Sequence, residues 1–199
     1  MRPVRCAKVE AVLVLVLAIV AAGSPATAAP PALLIDQQQP LIDATEFTVA
    51  VGGFSEQKIA QTFTVGLDGR FAGVNFAIGC GDGVLEVEIQ GTLPTGEPDG
   101  VTLVRRSFRA DSLPAVVPAS FEELRLPRRL AVAPGDQLAV VLSNPTGSCG
   151  VAASPDGDSY LAGRAYFDAR PNPPGWLPFF PLSPEDDLPF QTVVFARAP

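Results

Sequence analysis

Residues Leu85-Glu86-Val87-Glu88-Ile89-Gln90 alternate strictly between apolar and charged or amide side chains. Successive side chains of an extended backbone point to opposite faces, so this pattern writes a strand with one dry and one wet side. The same period recurs at Ile59, Gln61, Phe63 and Val65, at Val74, Phe76 and Ile78, and at Leu138, Val140 and Leu142. Further strand-like segments are Glu46–Val51, Val101–Phe108, Phe121–Leu126, Leu130–Val132, Cys149–Ala153, Tyr160–Phe167 and Leu188–Ala196. Between them lie turn-forming runs: Gly66 to Gly69, Gly81-Asp82-Gly83, Pro94 to Gly100 and Ala133-Pro134-Gly135-Asp136. No segment keeps a helical apolar stripe for ten or more residues. The pattern predicts an all-β fold: a two-sheet antiparallel sandwich, jelly-roll-like, of nine to ten strands.

The first 28 residues read differently. Arg2, Arg5 and Lys8 precede an apolar run from Ala11 to Ala22, and Ala26 and Ala28 supply the small-residue pattern that signal peptidase reads. The run suits the core of a secretory signal and is too short to cross a bilayer. Residues 1–28 are therefore expected to be a signal peptide cleaved near Ala28, giving a secreted chain, extracellular or in the cell envelope, with no membrane anchor. Residues 29–44, rich in Pro and Gln, read as an extended leader, and 45–199 as a single β-sandwich domain. The Pro-rich stretch 171–184 is expected to be a long ordered loop, because Trp176, Phe179 and Phe180 need packing partners.

Composition narrows the chemistry. The 199 residues contain no histidine, which excludes Ser-His-Asp and Cys-His catalysis and His-ligated metal or haem. A formal charge of −7, becoming −9 once Arg2, Arg5, Lys8 and Glu10 are removed, argues against a nucleic-acid partner. Loss of Cys6 with the signal leaves Cys80 and Cys149 alone, and an oxidising compartment makes a disulfide between them the natural expectation.

The remaining site signals are sparse. Ser55-Glu56-Gln57-Lys58 has the spacing of a serine–lysine acyl-transfer site, but Lys58 is the sole lysine after residue 28, so the second lysine motif of such enzymes has no counterpart. Asp186-Asp187 and Glu122-Glu123 are sequence neighbours, which on a strand face opposite ways and do not make a glycosidase pair. Asp156-Gly157-Asp158, with Asp187 of Glu185-Asp186-Asp187 as a further contributor, has the short Asp/Gly spacing from which calcium sites are built, although a solvated turn is the simpler reading. Trp176, Tyr160 and Tyr166 could offer flat faces to sugar rings, or plug the end of the sandwich. Arg105, Arg106 and Arg109, with Arg125, Arg128 and Arg129, form the one basic concentration, suited to an acidic partner or to balancing acidic strand faces.

Taken in order, several segments resemble the secreted bacterial sandwich domains related to carbohydrate-binding modules. They are Ala60-Gln61-Thr62-Phe63-Thr64, Gly69 leading to Val74-Phe76-Ile78, Leu85-Val87-Ile89, Gly96-Glu97-Pro98 and Ala133-Pro134-Gly135-Asp136 before Leu138. Tyr160 with Gly163, Trp176, and Asp187-Leu188-Pro189-Phe190 complete the set, over roughly residues 55–195. The resemblance implies a non-catalytic fold with a glycan or cell-surface partner, and makes a structural calcium relevant. The expectation is a secreted, non-enzymatic β-sandwich. Its alternatives are a carboxylate-dependent glycan-active enzyme and a structural subunit of a cell-surface assembly.

Overall fold

The computed structural model describes residues 32–127, 130–154, 160–179 and 187–196, with the backbone alone at 44–47. The expected signal peptide lies outside the described residues, as do Asp156, Asp158, Phe180, Arg128 and Arg129. The described chain is all-β and antiparallel, with no α-helix and a single short 3-10 turn at Ala110–Ser112. No helix among the described residues is long and apolar enough to cross a membrane.

Three sheets make the sandwich. One layer is a six-stranded sheet of β3 (Lys58–Thr64), β6 (Val84–Thr92), β7 (Pro98–Arg109), β10 (Gln137–Ser143), β12 (Ala165–Asp168) and β13 (Leu177–Pro178). Its order is β13-β12-β3-β10-β6-β7. Facing it is a sheet of β1 (Ala32–Gln39), β14 (Phe190–Ala196), β4 (Gly69–Phe76) and β8 (Glu122–Arg125), with β9 (Ala131–Val132) also paired to β4. A three-stranded sheet of β2 (Asp43–Gly52), β11 (Ser148–Ala153) and β5 (Ile78–Cys80) extends this layer. It joins through Ala77, whose carbonyl accepts from Ala152 N at 2.9 Å.

Period-two alternation builds the core. Ile59 and Phe63 of β3, Leu85, Val87 and Ile89 of β6, and Leu138, Val140 and Leu142 of β10 all turn inward. They meet Phe71, Val74 and Phe76 of β4, Phe190 and Val194 of β14, and Val49, Val51, Ile78 and Val151 of the small sheet. Phe71 and Val74 both face in although they stand three apart, because a bulge between Val193 and Val194 leaves Ala72 unpaired in the β4–β14 ladder. Cys80 and Cys149 are direct partners across β5 and β11 and are joined by a disulfide.

Two expectations change in detail. The 29–44 stretch is not a free leader over its length: Ala32–Gln39 is β1, paired with β14 from Ala32↔Ala196 to Gln39↔Phe190. Asp36, Gln37 and Gln39 fasten it, through Gly66 N to Asp36 Oδ1 at 3.0 Å, Gln37 N to Thr192 Oγ1 at 3.0 Å, and burial of Gln39. The strand expected over Tyr160–Phe167 begins only at Ala165, because Gly163 brings the chain against the carbonyl of Thr62 and the preceding residues turn. With β1, β9 and β13 included, the described residues hold fourteen strands, more than the alternation alone predicts.

Candidate functional site

The outward face of the six-stranded sheet carries the densest polar chemistry outside the core. One row crosses five strands: Tyr166 of β12, Ala60 of β3, Val141 of β10, Glu88 of β6 and Arg105 of β7 are successive register partners. The adjoining row runs Thr62, Ala139, Gln90 and Thr102. Ala60 and Ala139 are small where strands prefer larger residues, and this leaves a shallow bed on the face. Trp176, brought over by the loop before β13, lies half-buried in that bed against Ala60, Ala139, Val141 and Tyr166.

Beside the indole opens a cleft of about 570 Å³, lined by Glu88, Gln90, Thr102 and Arg105 together with Lys58, Glu56, Glu86 and Asp168. Its polar groups hold one another in place. Glu88 Oε2 accepts from Thr102 Oγ1 and from Gln90 Nε2 at 2.8 Å, and Glu88 Oε1 pairs with the Arg105 guanidinium. Gln90 Oε1 in turn accepts from Gly100 N at 3.2 Å, where bulges in the β6–β7 ladder turn the strand. Arg105 also reaches Glu86 at 3.9 Å. Burial pushes the Glu88 carboxyl up, but the hydrogen bonds from Thr102 and Gln90 and the charge of Arg105 outweigh it and hold it below the usual carboxylate range. Glu88 is thus an ionised acceptor at neutral pH. A second hollow of about 450 Å³ on the same face is lined by Thr62, Thr64, Thr92, Thr95, Gln137, Arg164 and Tyr166, a set dominated by hydroxyls.

The three aromatic candidates part company. Trp176 and Tyr166 meet on the outer face. Tyr160 does not join them: it is 8% exposed in the main core, edge-on to Phe190 at 5.1 Å. Its hydroxyl donates to Gln37 Oε1 at 2.8 Å and accepts from Thr64 N at 3.3 Å; burial pushes the phenol up to about 12, against the lowering effect of the Thr64 hydrogen bond. The reason is the turn before Ala165, which sends residue 160 between the layers.

Among the acidic candidates, Asp187 is 3% exposed and faces inward. Its Oδ1 accepts from Gln61 Nε2 at 2.8 Å and its Oδ2 from Tyr160 N at 2.9 Å, while Gln61 Oε1 accepts from Leu188 N at 2.8 Å. Asp187 therefore stitches the approach to β14 onto β3; its proposed cation partners Asp156 and Asp158 lie outside the described residues. Among the described residues no group of three or more Cys, Asp or Glu is placed to hold a metal ion.

The other signals resolve locally. Among the described arginines, three are individually paired: Arg105 with Glu88, Arg109 with Asp111 at 2.7 Å, and Arg125 with Glu123 at 2.8 Å. Arg106 lies over the Phe108 ring at 4.8 Å and donates to Arg125 O. Ser55 sits in a turn and Lys58 begins a strand, so no helix holds the two together.

The residues missed from sequence are Glu88, Gln90 and Thr102; Arg105 was read there only as part of the basic concentration. Outward alternation on Leu85–Gln90 reads as an ordinary solvated face until the partner strand places a cation and a hydroxyl opposite. The available signal was alanine at two outward strand positions, Ala60 and Ala139, which leave room for a large side chain from elsewhere. No protein-family model matches the chain, and no curated protein matches it.

Proposed function

We propose that the protein is an exported, non-catalytic β-sandwich that binds a glycan on the outer face of its six-stranded sheet, in the manner of the carbohydrate-binding-module domains its sequence resembles. The observation that carries this reading is the pairing of a half-buried indole with a fixed set of acceptors and donors in one cleft. A sugar ring presents apolar C–H faces and equatorial hydroxyls, and needs an aromatic surface beside pre-oriented polar groups. Glu88, Gln90, Thr102 and Arg105 are pre-oriented by their own hydrogen bonds, so little ordering is left for binding to cost. The cleft is lined by four carboxylates and two cations, which favours uncharged or cationic glycans over polyanionic ones.

A printed array of neutral, amino-sugar and acidic glycans tests the reading. Binding to a neutral or amino-sugar series, weakened at least about tenfold by Trp176→Ala, supports it. No binding to any series, or binding that ignores Trp176→Ala, overturns it.

A second reading has one observation in its favour. Glu86 and Glu88 share the outward face of β6 two residues apart, and both carboxylates approach Arg105, so two acids lie side by side in the cleft as a hydrolytic pair requires. Glu88 is committed to three partners, which suits an acceptor better than a proton donor. Release of reducing ends from a bound polysaccharide, lost in both Glu86→Gln and Glu88→Gln, would replace the binding reading with this one.

A further inference from the structure

Phe54 stands at the tip of the turn between β2 and β3, and its side chain is wholly exposed. An isolated exposed apolar residue needs no explanation on a loose loop. This turn is not loose. Gly52 and Gln57 exchange backbone hydrogen bonds at 2.7 and 3.2 Å, and Gly53 N donates to Gly147 O at 2.9 Å. Arg170 ties the other side, its N donating to Ser55 O and its guanidinium pairing with Glu56 Oε1, both at 2.9 Å. Glu56 is the only non-glycine residue in the left-handed region among those described, at φ 47°. That conformation costs about 1 kcal/mol and persists only where the surroundings enforce it.

The turn therefore spends backbone strain and an ion pair on holding a phenyl ring out in water. Its position says what the ring is for. Glu56, Asn144 and Pro145 line the Trp176 cleft, and the same three residues line the hollow of about 420 Å³ beneath Phe54. The two depressions are neighbours that share this wall, with an aromatic ring at each: Trp176 lines the first and Phe54 the second.

We propose that Phe54 is a second stacking subsite for the same ligand, so that the site takes a chain of several sugar units instead of a terminal sugar. This rests on the glycan-binding reading of the Trp176 cleft. The class that fits is an uncharged, equatorially linked polysaccharide, whose ribbon shape presents flat C–H faces at intervals along its length. A short oligosaccharide fills the Trp176 cleft alone; a longer one reaches Phe54.

Calorimetric titration of the wild type, Phe54→Ala, Phe54→Tyr and Trp176→Ala with tri- and hexasaccharides of β-1,4-linked glucose, xylose and N-acetylglucosamine tests this. Phe54→Ala should weaken the hexasaccharide of the bound series about tenfold and leave the trisaccharide within about twofold, with Phe54→Tyr close to wild type. Trp176→Ala should weaken both. Equal effects of Phe54→Ala on both lengths, or none on either while Trp176→Ala abolishes binding, would overturn the Phe54 assignment and leave the cleft intact. Loss of sedimentation with vesicles of phosphatidylcholine and phosphatidylglycerol in Phe54→Ala, with hexasaccharide affinity unchanged, would make Phe54 a membrane contact and overturn it too. If the wild type binds none of the six sugars, the underlying glycan reading fails.

Discussion

Breaking the Cys80–Cys149 crosslink should lower stability by about 4 kcal/mol. The disulfide joins residues 69 positions apart, and in the chain-entropy account a closed loop of that length removes roughly 4 kcal/mol of freedom from the unfolded ensemble at 25 °C. The native state needs little from the bond, because Cys80 and Cys149 already face each other in the β5–β11 ladder. Two perturbations separate the crosslink from the packing. Reduction of the wild type leaves both thiols buried in place, at 2% and 7% exposure. Cys80→Ala/Cys149→Ala also removes the sulfurs and the contact from Asn144 Nδ2, which keeps its bond to Asp82 O at 2.9 Å. Urea denaturation followed by far-ultraviolet circular dichroism and by the single tryptophan, Trp176, reads both. A domain of ordinary stability, about 5–15 kcal/mol, stays folded after this loss. The urea dependence should steepen as well, since an unlinked unfolded chain exposes more surface. A loss under about 1 kcal/mol on reduction, with an unchanged slope, would refute the entropic account.

Other perturbations reach different parts of the molecule. A Cβ at Gly163 would lie 1.9 Å from the Thr62 carbonyl oxygen, so Gly163→Ala should cost about 2 kcal/mol or more in a thermal melt. Asp187→Ala leaves the buried Tyr160 N–H without its acceptor and loosens Gln61, an expected loss of about 3 kcal/mol by chemical denaturation. The Tyr160 phenol is raised from its unfolded value near 10 to about 12, so its contribution is complete below pH 10 and drains between pH 10 and 12. Tyr160→Phe should remove that alkaline loss, read as midpoint against pH. Glu88 works in the opposite sense: its folded pKa lies below the ordinary 4.5, so its share of stability is present above that pH and lost as pH falls through the folded value. Glu88→Gln should give a shallower acid limb.

What was legible in the sequence follows from where one side chain's fate is set by its own strand. Leu85–Gln90 alternates, and the strand it announces is β6, with Leu85, Val87 and Ile89 in the core. The pairing of Cys80 with Cys149 was legible because only two cysteines follow the signal-like segment. β1 was not legible as part of the sheet, because Ala32-Leu33-Leu34-Ile35 is apolar on both faces and offers no alternation to read. Tyr160 and Tyr166 look equivalent as residues, yet a turn at Gly163 sends one between the layers and the other to the outer face of the sheet, where it is buried in the cluster that Trp176 packs against. Glu88 needed its cross-strand partners. A carboxylate on a wet strand face becomes distinctive only when register brings Arg105 opposite and a bulge brings Thr102 within reach of it.

The pairing of β1 with β14 sets an order in time. Gln37 finds Thr192 across a separation of 155 residues, and Ala32 pairs with Ala196. A chain delivered N-terminus first holds Ala32–Ile35 without this neighbour until Val193–Ala196 have followed. Leu33, Leu34 and Ile35, half-exposed even in the folded sheet, are until then an unpaired apolar segment of the kind on which growing chains associate with one another. The five-stranded sheet therefore closes late and slowly, as long-range pairings do. The same pairing that shelters β1 in the fold leaves it unsheltered for as long as β14 is missing.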